Sequence, residues 1–350
     1  MRILVTGGCG FIGSAVIRHL IEHTDHAVIN VDSMTYAATR GSVASVTGDE
    51  RYRHLEIDIG DAAAVIAAFT DHRPDAVMHL AAESHVDRSI DGPEQFLYTN
   101  VLGTMHLLQA ARAAMQTRPD GGAGFRFLHV STDEVFGSLR HDEAPFTEQT
   151  PYSPRSPYSA SKAAADHLVR AWGETFGVPV LLTNCSNNYG PFHFPEKLIP
   201  LVILKAAADL PLPVYGTGDN VRDWLFVEDH ATALVTVLTT GTIGDTYLIG
   251  GDAERTTLAV VETICDLVDE RLGVGPAGPR RRLIEFVADR PGHDHRYAVD
   301  ATKVRDELDW RPTVSFEDGL ARTVDWYLSN EAWWRPIQDG TYAGDRLGLT

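Results

Sequence analysis

The chain begins "MRILVTGGCGFIG" (residues 1–13), and this stretch decides the fold. "RILVT" (2–6) is a short apolar run with the length and composition of a buried strand. It meets glycines at 7, 8, 10 and 13 and passes at once into "FIGSAVIRHLIEH" (11–23), whose apolar residues recur at helical spacing. Glycines alone are a weak signal. Between a strand and a helix, Gly7, Gly10 and Gly13, or Gly8, Gly10 and Gly13 as G-x-G-x-x-G, let backbone amides and a helix N-terminus approach a pyrophosphate. An ordinary tight turn is the blander alternative, and the context argues against it.

Further apolar runs follow at "AVINV" (27–31), "AVMHLAA" (76–82), "FRFLHV" (125–130) and "PVLLTN" (179–184). Helical-period segments such as "EQFLYTNVLGTMHLLQAARAA" lie between them. Strand and helix in alternation predict an α/β fold with a doubly wound parallel sheet covered on both faces, Rossmann-like, in residues 1–185. From 186 to 350 the pattern loosens into Pro- and Gly-rich connections with helices at about 198–208, 229–239 and 257–271. That portion reads as a smaller C-terminal substrate-binding domain, with later segments crossing back to the sheet. "GPAGPRRR" (275–282) reads as a solvated loop.

Asp32 ends the second strand nineteen residues beyond Gly13, where an acid hydrogen-bonds an adenosine ribose. A carboxylate there repels a 2'-phosphate, which favours NAD over NADP. Asp58 in "EIDIGD" follows the next strand; contact with the adenine amino group and capping of the helix from Ala62 are equally good readings. In "SPYSASK", Tyr158 and Lys162 are one helical turn apart behind Pro157, a good first-turn residue. Making a phenol a base near neutrality needs a shift of roughly 3 units, or ~4 kcal/mol. Positive charge from Lys162 and an oxidised nicotinamide is the kind of neighbour that supplies it.

The bulk numbers exclude several classes. With 44% hydrophobic and 22% charged residues, the 350-residue chain is ordinary globular protein with room for a sizeable core. A formal charge of -18 argues against nucleic acid and anionic membranes as partners. Cys9, Cys185 and Cys265 form neither a disulfide framework nor a C-x-x-C site. The strand-like opening leaves no room for a signal segment, and no apolar run reaches the length of a membrane span, so a cytoplasmic protein is expected. His79, His85, His129 and "HDH" (293–295) lack companion ligands at metal-site spacing, and no metal is expected.

"TGGCGFIG" together with Y-x-x-x-K resembles the extended short-chain dehydrogenase/reductase family of nucleotide-sugar enzymes, over almost the whole chain. The resemblance extends the cofactor site to Phe11, Ile12, Ser33, Thr35, Ile59, Leu80, Ala81, Ala82, Thr99 and Asn188. Members begin by taking hydride from a sugar carbon and differ after the fifth strand, where this chain reads "STDEVFG" (131–137). Similar epimerases carry small neutral residues at Asp133 and Glu134. Elimination needs both an acid and a base: once C4 is a ketone, Glu134 can take the C5 proton and a protonated Asp133 can donate to the departing 6-hydroxyl. Two carboxylates side by side and out of water have separated pKa values, which suits those roles. On a regular strand they point to opposite faces, so the backbone must leave strand geometry by Thr132. The alternative makes Asp133 a turn or cap residue with Glu134 in a first helical turn.

The 4,6-dehydratases of the family share "HLAAESHVDRSI" (79–90), "NNYGPFHFPEKLIPL" (187–201), "VRDWLFVEDH" (221–230), "DRPGHDHRYAVD" (289–300) and "WWRPIQDGTY" (333–342). This resemblance implies dTDP-glucose as substrate, NAD as a regenerated cofactor, and a 4-keto-6-deoxy sugar as product. It implies Thr132 at the sugar O4 beside Tyr158, Ser84 and His85 at the hexose, and Asn187 and Arg222 at the diphosphate. It places Lys197, Leu198, Pro213 and Tyr215 in the nucleotide pocket, with Arg296 and Tyr297 near diphosphate and base. Where relatives often place an asparagine after "IGG", the chain reads Asp252, Ala253, Glu254, which puts one diphosphate contact in doubt; Phe136 stands where Tyr is frequent. Relatives pair the helices at about 93–115 and 157–175 into a four-helix homodimer interface, and Leu107, Leu108, Leu168 and Val169 are apolar beyond what one sheet face requires. An epimerase or decarboxylase, and a catalytically dead dinucleotide-binding regulator, are the rival readings.

Overall fold

In the computed structural model, which describes residues 1–289 and 293–340, the chain first lays down β1 (Arg2–Thr6), α1 (Phe11–His23), β2 (Ala27–Asp32), β3 (Tyr52–Glu56), α2 (Ala62–His72), β4 (Ala76–His79) and α3 (Val86–Asp91). Next come α4 (Pro93–Phe96), a π-helical turn (Leu97–Gly103), α5 (Thr104–Thr117), β5 (Arg126–Thr132), α6 (Pro157–Phe176), β6 (Val180–Cys185) and β7 (Asn187–Tyr189). The remainder comprises α7 (Leu198–Ala207), β8 (Leu212–Tyr215), β9 (Val221–Phe226), α8 (Val227–Thr240), β10 (Thr246–Ile249), β11 (Glu254–Thr256), α9 (Thr257–Leu272) and β12 (Ile284–Val287), closed by α10 (Thr302–Leu308), α11 (Phe316–Ser329) and α12 (Glu331–Gly340). The stretches 289–300 and 333–342 reach partly over residues 290–292 and 341–342, outside the described residues.

Seven parallel strands form one sheet in the order β10-β6-β5-β4-β1-β2-β3, the doubly wound α/β sheet expected from the strand and helix pattern. Alternate residues of β1 enter different cores. Ile3 and Val5 pack with Val16 and Leu20 of α1 and Leu234 and Leu238 of α8. Leu4 packs with Leu107 and Leu108 of α5, Phe127 of β5 and Val169 of α6. Burial on both faces is why the strands read as unbroken apolar runs. The seventh strand, β10, returns from late in the chain to pair with β6. β11, β9 and β7 make a three-stranded sheet and β12 pairs with β8; a separate core of Val260, Ile264, Leu320 and Tyr327 lies against them.

Three expectations change. The segment 93–115 is not one helix: the π-helical turn at Leu97–Gly103 interrupts it. Its extra residue per turn sends Asn100 inward, where the side chain donates to Glu83 O at 3.0 Å and Ser161 Oγ at 2.8 Å and accepts from Glu83 N at 2.9 Å. Leu107, Leu108 and Val169 are not surplus apolar surface, because they fill the chain's own core, with Leu168 packed partly buried against it; the exposed apolar side chains nearby are Leu97, Tyr98 and Leu102. Lastly, "GPAGPRRR" is not simply solvated. Arg280 is buried, donates to Asp269 Oδ1 at 2.6 Å and ties the end of α9 to α7 through Ala206 O at 2.8 Å. No helix among the described residues is long and apolar enough to cross a membrane.

Candidate active site

A cleft of about 570 Å³ runs along the carboxyl ends of the central strands, where strand order reverses around β1. Its first wall is the glycine turn. Gly7 has φ +70, and a Cβ there stands 2.8 Å from Ala81 Cα. A Cβ on Gly13 stands 2.1 Å from Gly7 O. Side chains at these positions prevent the close packing that aims α1 at the cleft. Gly10 begins α1 with no side-chain cap, so the first amides of the helix remain for an anion. Asp32 locks this turn: its carboxylate accepts from Cys9 N at 2.8 Å and Met34 N at 2.9 Å. Burial raises its pKa and those two bonds oppose the rise.

Phe11, Ile12, Ser33, Thr35, Asp58, Ile59, Leu80, Ala81, Ala82, Thr99 and Asn188 all line the same cleft. The residues present therefore fit a dinucleotide, with the uncapped helix start at its centre. Asp58 folds its own turn by accepting from Gly60 N at 2.8 Å, whereas the helix cap belongs to Asp61, which accepts from Ala63 N and Ala64 N. Capping therefore does not explain Asp58.

Thr132, Asp133, Glu134, Tyr158 and Lys162 line the middle of the cleft. β5 stops at Thr132, whose hydroxyl caps a single 3-10 turn over Asp133–Phe136 by accepting from Glu134 N at 3.3 Å. That turn takes the pair out of strand alternation, so both carboxylates face the cleft. Asp133 is 2% exposed and its Oδ2 has no hydrogen-bond partner among the described residues. Burial, then the Glu134 charge, push its carboxyl well above the usual range, with Arg222 pulling the other way. A protonated carboxyl with an unoccupied oxygen is suited to donate. Phe136 packs on Phe146 and Tyr152 behind the turn.

α6 delivers Tyr158 and Lys162. Ser156 caps it in a reciprocal box with Ser159, and Pro157 opens the first turn. The Lys162 ammonium donates to Val130 O at 2.9 Å. Burial lowers its pKa, and the Asp166 charge opposes that. The phenol of Tyr158 behaves differently from expectation. Burial and then the Glu134 charge drive its pKa well above the ordinary value, with the Thr132 hydrogen bond opposing. Groups of this chain alone do not make it a base near neutrality; further positive charge, such as an oxidised nicotinamide carries, is required.

Toward the outer end, Ser84, His85, Asn187, Lys197, Leu198, Pro213, Tyr215 and Arg222 line the cleft. His85 also caps α3, and Lys197 Nζ donates to Ser84 O at 3.2 Å. The Asn187 side-chain oxygen has no partner among the described residues. Arg222 donates to Asp294 O at 3.0 Å and Val221 O at 2.8 Å while lying 4.2 Å from the Tyr297 ring centroid. Arg296 and Tyr297 stand behind the lining, with Tyr297 against Arg222. Arg296 is held by Glu254 at 2.6 and 2.7 Å and by Glu143 O at 2.7 Å; Tyr297 is buried beneath Arg222 and donates to Asp294. The chain's Glu254 thus occupies the guanidinium, and Asp252 pairs with Arg305. Sequence reasoning passed over Glu83, His193 and Glu196, which also line the cleft. His193 stacks on Phe11 with centroids 4.1 Å apart, and Glu196 binds Arg88 and Tyr36 at 3.1 Å. Among the described residues no three His, Cys, Asp or Glu side chains converge as metal ligands.

The family described as GDP-mannose 4,6 dehydratase matches residues 4–323. The chain belongs to this 4,6-dehydratase family. It is 56% identical to a dTDP-glucose 4,6-dehydratase of Escherichia coli, covering 100% of this chain and 99% of that relative. With one from Neisseria meningitidis serogroup B the identity is 57%, over 99% of each. Among solved structures, DesIV, a dTDP-glucose 4,6-dehydratase from Streptomyces venezuelae with NAD and TYD bound, superposes with a TM-score of 0.87 at 45% identity, covering 96% of this chain and 100% of that one. A UDP-glucose 4-epimerase from Thermotoga maritima reaches a TM-score of 0.83 at 25% identity over 94% and 99%. The backbone is thus shared across 4,6-dehydratases and epimerases, and the distinction between them falls to the side chains.

Proposed function

We propose that this chain is a dTDP-glucose 4,6-dehydratase, an NAD-dependent hydro-lyase that makes dTDP-4-keto-6-deoxy-D-glucose for deoxysugar biosynthesis. The observation that carries this is the turn after β5, where a buried acid with an unoccupied oxygen stands beside a second carboxylate facing the same cleft as Tyr158. The glycine turn, Asp32 and the cleft's adenosine end hold NAD. Bound there, NAD would supply the hydride acceptor and donor that the reaction needs. Thr132 steadies the sugar O4, and Tyr158 takes its proton with Lys162 supplying charge below. Glu134 removes the proton from C5, acidified by the neighbouring ketone. Asp133 gives its proton to the 6-hydroxyl, which leaves as water, and Glu134 returns a proton to C5. Asn187 and Arg222 hold the diphosphate; Lys197, Leu198, Pro213 and Tyr215 hold the nucleoside.

Incubation with dTDP-glucose and NAD tests this: a 4-keto-6-deoxy product has a characteristic alkaline absorbance, and an epimerase yields a hexose without it. Residues 1–185 form the dinucleotide-binding portion and 186–350 most of the nucleotide-sugar-binding portion. The protein works in the cytoplasm, in keeping with three unpaired buried cysteines. It forms a homodimer through a four-helix surface that includes the exposed Leu97, Tyr98 and Leu102; sedimentation at monomer mass would remove that part.

A further inference from the structure

Below the cleft floor lies a carboxylate that the reaction scheme does not use. Asp166 has none of its surface exposed. It stands on α6 four residues beyond Lys162 and eight beyond Tyr158, so the three share one stripe of the helix. Its Oδ2 accepts from Ser131 Oγ and Tyr152 OH, each at 2.9 Å, and from Asn184 Nδ2 at 3.4 Å. Its Oδ1 lies 3.1 Å from His129 Nε2. Two of these partners adjoin Thr132, which caps the catalytic turn. Ser131 immediately precedes Thr132, and Asn184 also donates to Thr132 O at 3.0 Å.

A buried ammonium needs an anion, and few are at hand. Facing Lys162 are His79 on β4, His129 on β5 and Cys185 on β6, with Tyr158 and Asp166 on its own helix. Burial lowers the pKa of both histidines, His129 to about 4, so they are neutral at working pH. It raises the Cys185 thiol to about 12 and holds the Tyr158 phenol protonated. Asp133 and Glu134 act on Tyr158. Asp166 differs from all of these. Burial pushes its carboxyl up, but the His129 contact, the Lys162 charge and the Ser131 bond outweigh it, and it stays ionised. Arg170 donates to the Tyr152 hydroxyl on the far side of this group.

We propose that Asp166 is a positioning residue of the reaction: it is the counter-charge that keeps Lys162 an ammonium, and its hydrogen bonds hold the 131–134 segment against Tyr158. This rests on the dehydratase reading for its substrate. A merely structural buried acid stabilises α6 on β5 without touching the pH at which the enzyme works. Loss of the Lys162 proton ends activity on the basic side, so in Asp166→Asn the basic limb of kcat/KM for dTDP-glucose moves to lower pH by about 1 to 2 units. Tyr152→Phe, which removes a hydrogen bond and leaves the charge, keeps the limb where it is. A lowered kcat with an unmoved limb in Asp166→Asn overturns the proposal.

A second arm needs no turnover. In thermal unfolding of Asp166→Asn, Lys162→Met and the double variant, the pair predicts that the double variant is more stable than the two single losses add up to. Strict additivity contradicts the pairing. If Asp166→Asn alone does not fold, recovery of folding in the double variant supports the pairing and failure to recover contradicts it. Wild-type protein that yields no 4-keto product defeats the dehydratase reading, and the unfolding arm then still decides Asp166.

Discussion

Two regions of this molecule treat charge in opposite ways. In the C-terminal half four arginines meet carboxylates: Arg280 with Asp269, Arg296 with Glu254, Arg282 with Asp209, Arg305 with Asp252. These pairs fasten late segments to one another. At the end of β5 the opposite holds, with Asp133 beside Glu134 and no cation bonded to the Asp133 carboxyl among the described residues. The first arrangement minimises electrostatic energy. The second raises it, and the carboxyl responds by keeping a proton that it can give away. The difference shows where chemistry is done: the site is marked by a buried carboxyl that keeps its proton beside a second carboxylate, not by charge in abundance.

The largest effect belongs to the second region. Tyr158→Phe, which cannot accept the C4 hydroxyl proton, is expected to lose about 10³-fold or more in turnover, while binding NAD as wild type does by fluorescence titration. Near-normal turnover breaks the comparison at its centre. Glu134→Gln is expected to slow solvent deuterium entry at C5 by about 10²-fold; unchanged incorporation, read by mass spectrometry, removes Glu134 from its role.

The arginine–carboxylate pairs respond in stability instead. Arg280→Ala leaves the largely buried Asp269 carboxylate with the backbone N–H of residue 280 but without its guanidinium, at a cost of about 3 kcal/mol in urea unfolding, with turnover at moderate temperature preserved. A change under a few tenths of a kcal/mol makes that pair ornamental. The smallest effect has the opposite sign. Burial and Glu134 raise the folded-state pKa of Asp133 above its unfolded value, so stability from this group is complete below the unfolded pKa and is lost as pH rises through the folded one. Asp133→Asn is therefore expected to be more stable than wild type at neutral pH, by about 1 kcal/mol, with the advantage growing toward alkaline pH. An advantage that shrinks as pH rises contradicts the raised Asp133 carboxyl.

Much of this was legible in the sequence because local rules govern it. The strand–glycine–helix opening has one economical backbone solution, and the Tyr158 and Lys162 spacing fixes a shared helix face. What escaped is set by non-local packing. Whether Leu107 points outward depends on which sheet face α5 covers, and Arg296 finds Glu254 from 42 residues away. The π-helical turn at Leu97–Gly103 leaves no periodic trace, since one extra residue resembles an ordinary drift in the apolar stripe. The protonation of Tyr158 follows from burial, which no spacing encodes.

The most direct test of the central claim is a single turnover of dTDP-glucose by Asp133→Asn, followed through the near-ultraviolet absorbance of reduced nicotinamide. If Asp133 supplies the proton for water loss, C4 is still oxidised and the reduced cofactor accumulates before any 4-keto-6-deoxy product forms. Product appearing at the wild-type rate with no such accumulation contradicts the account.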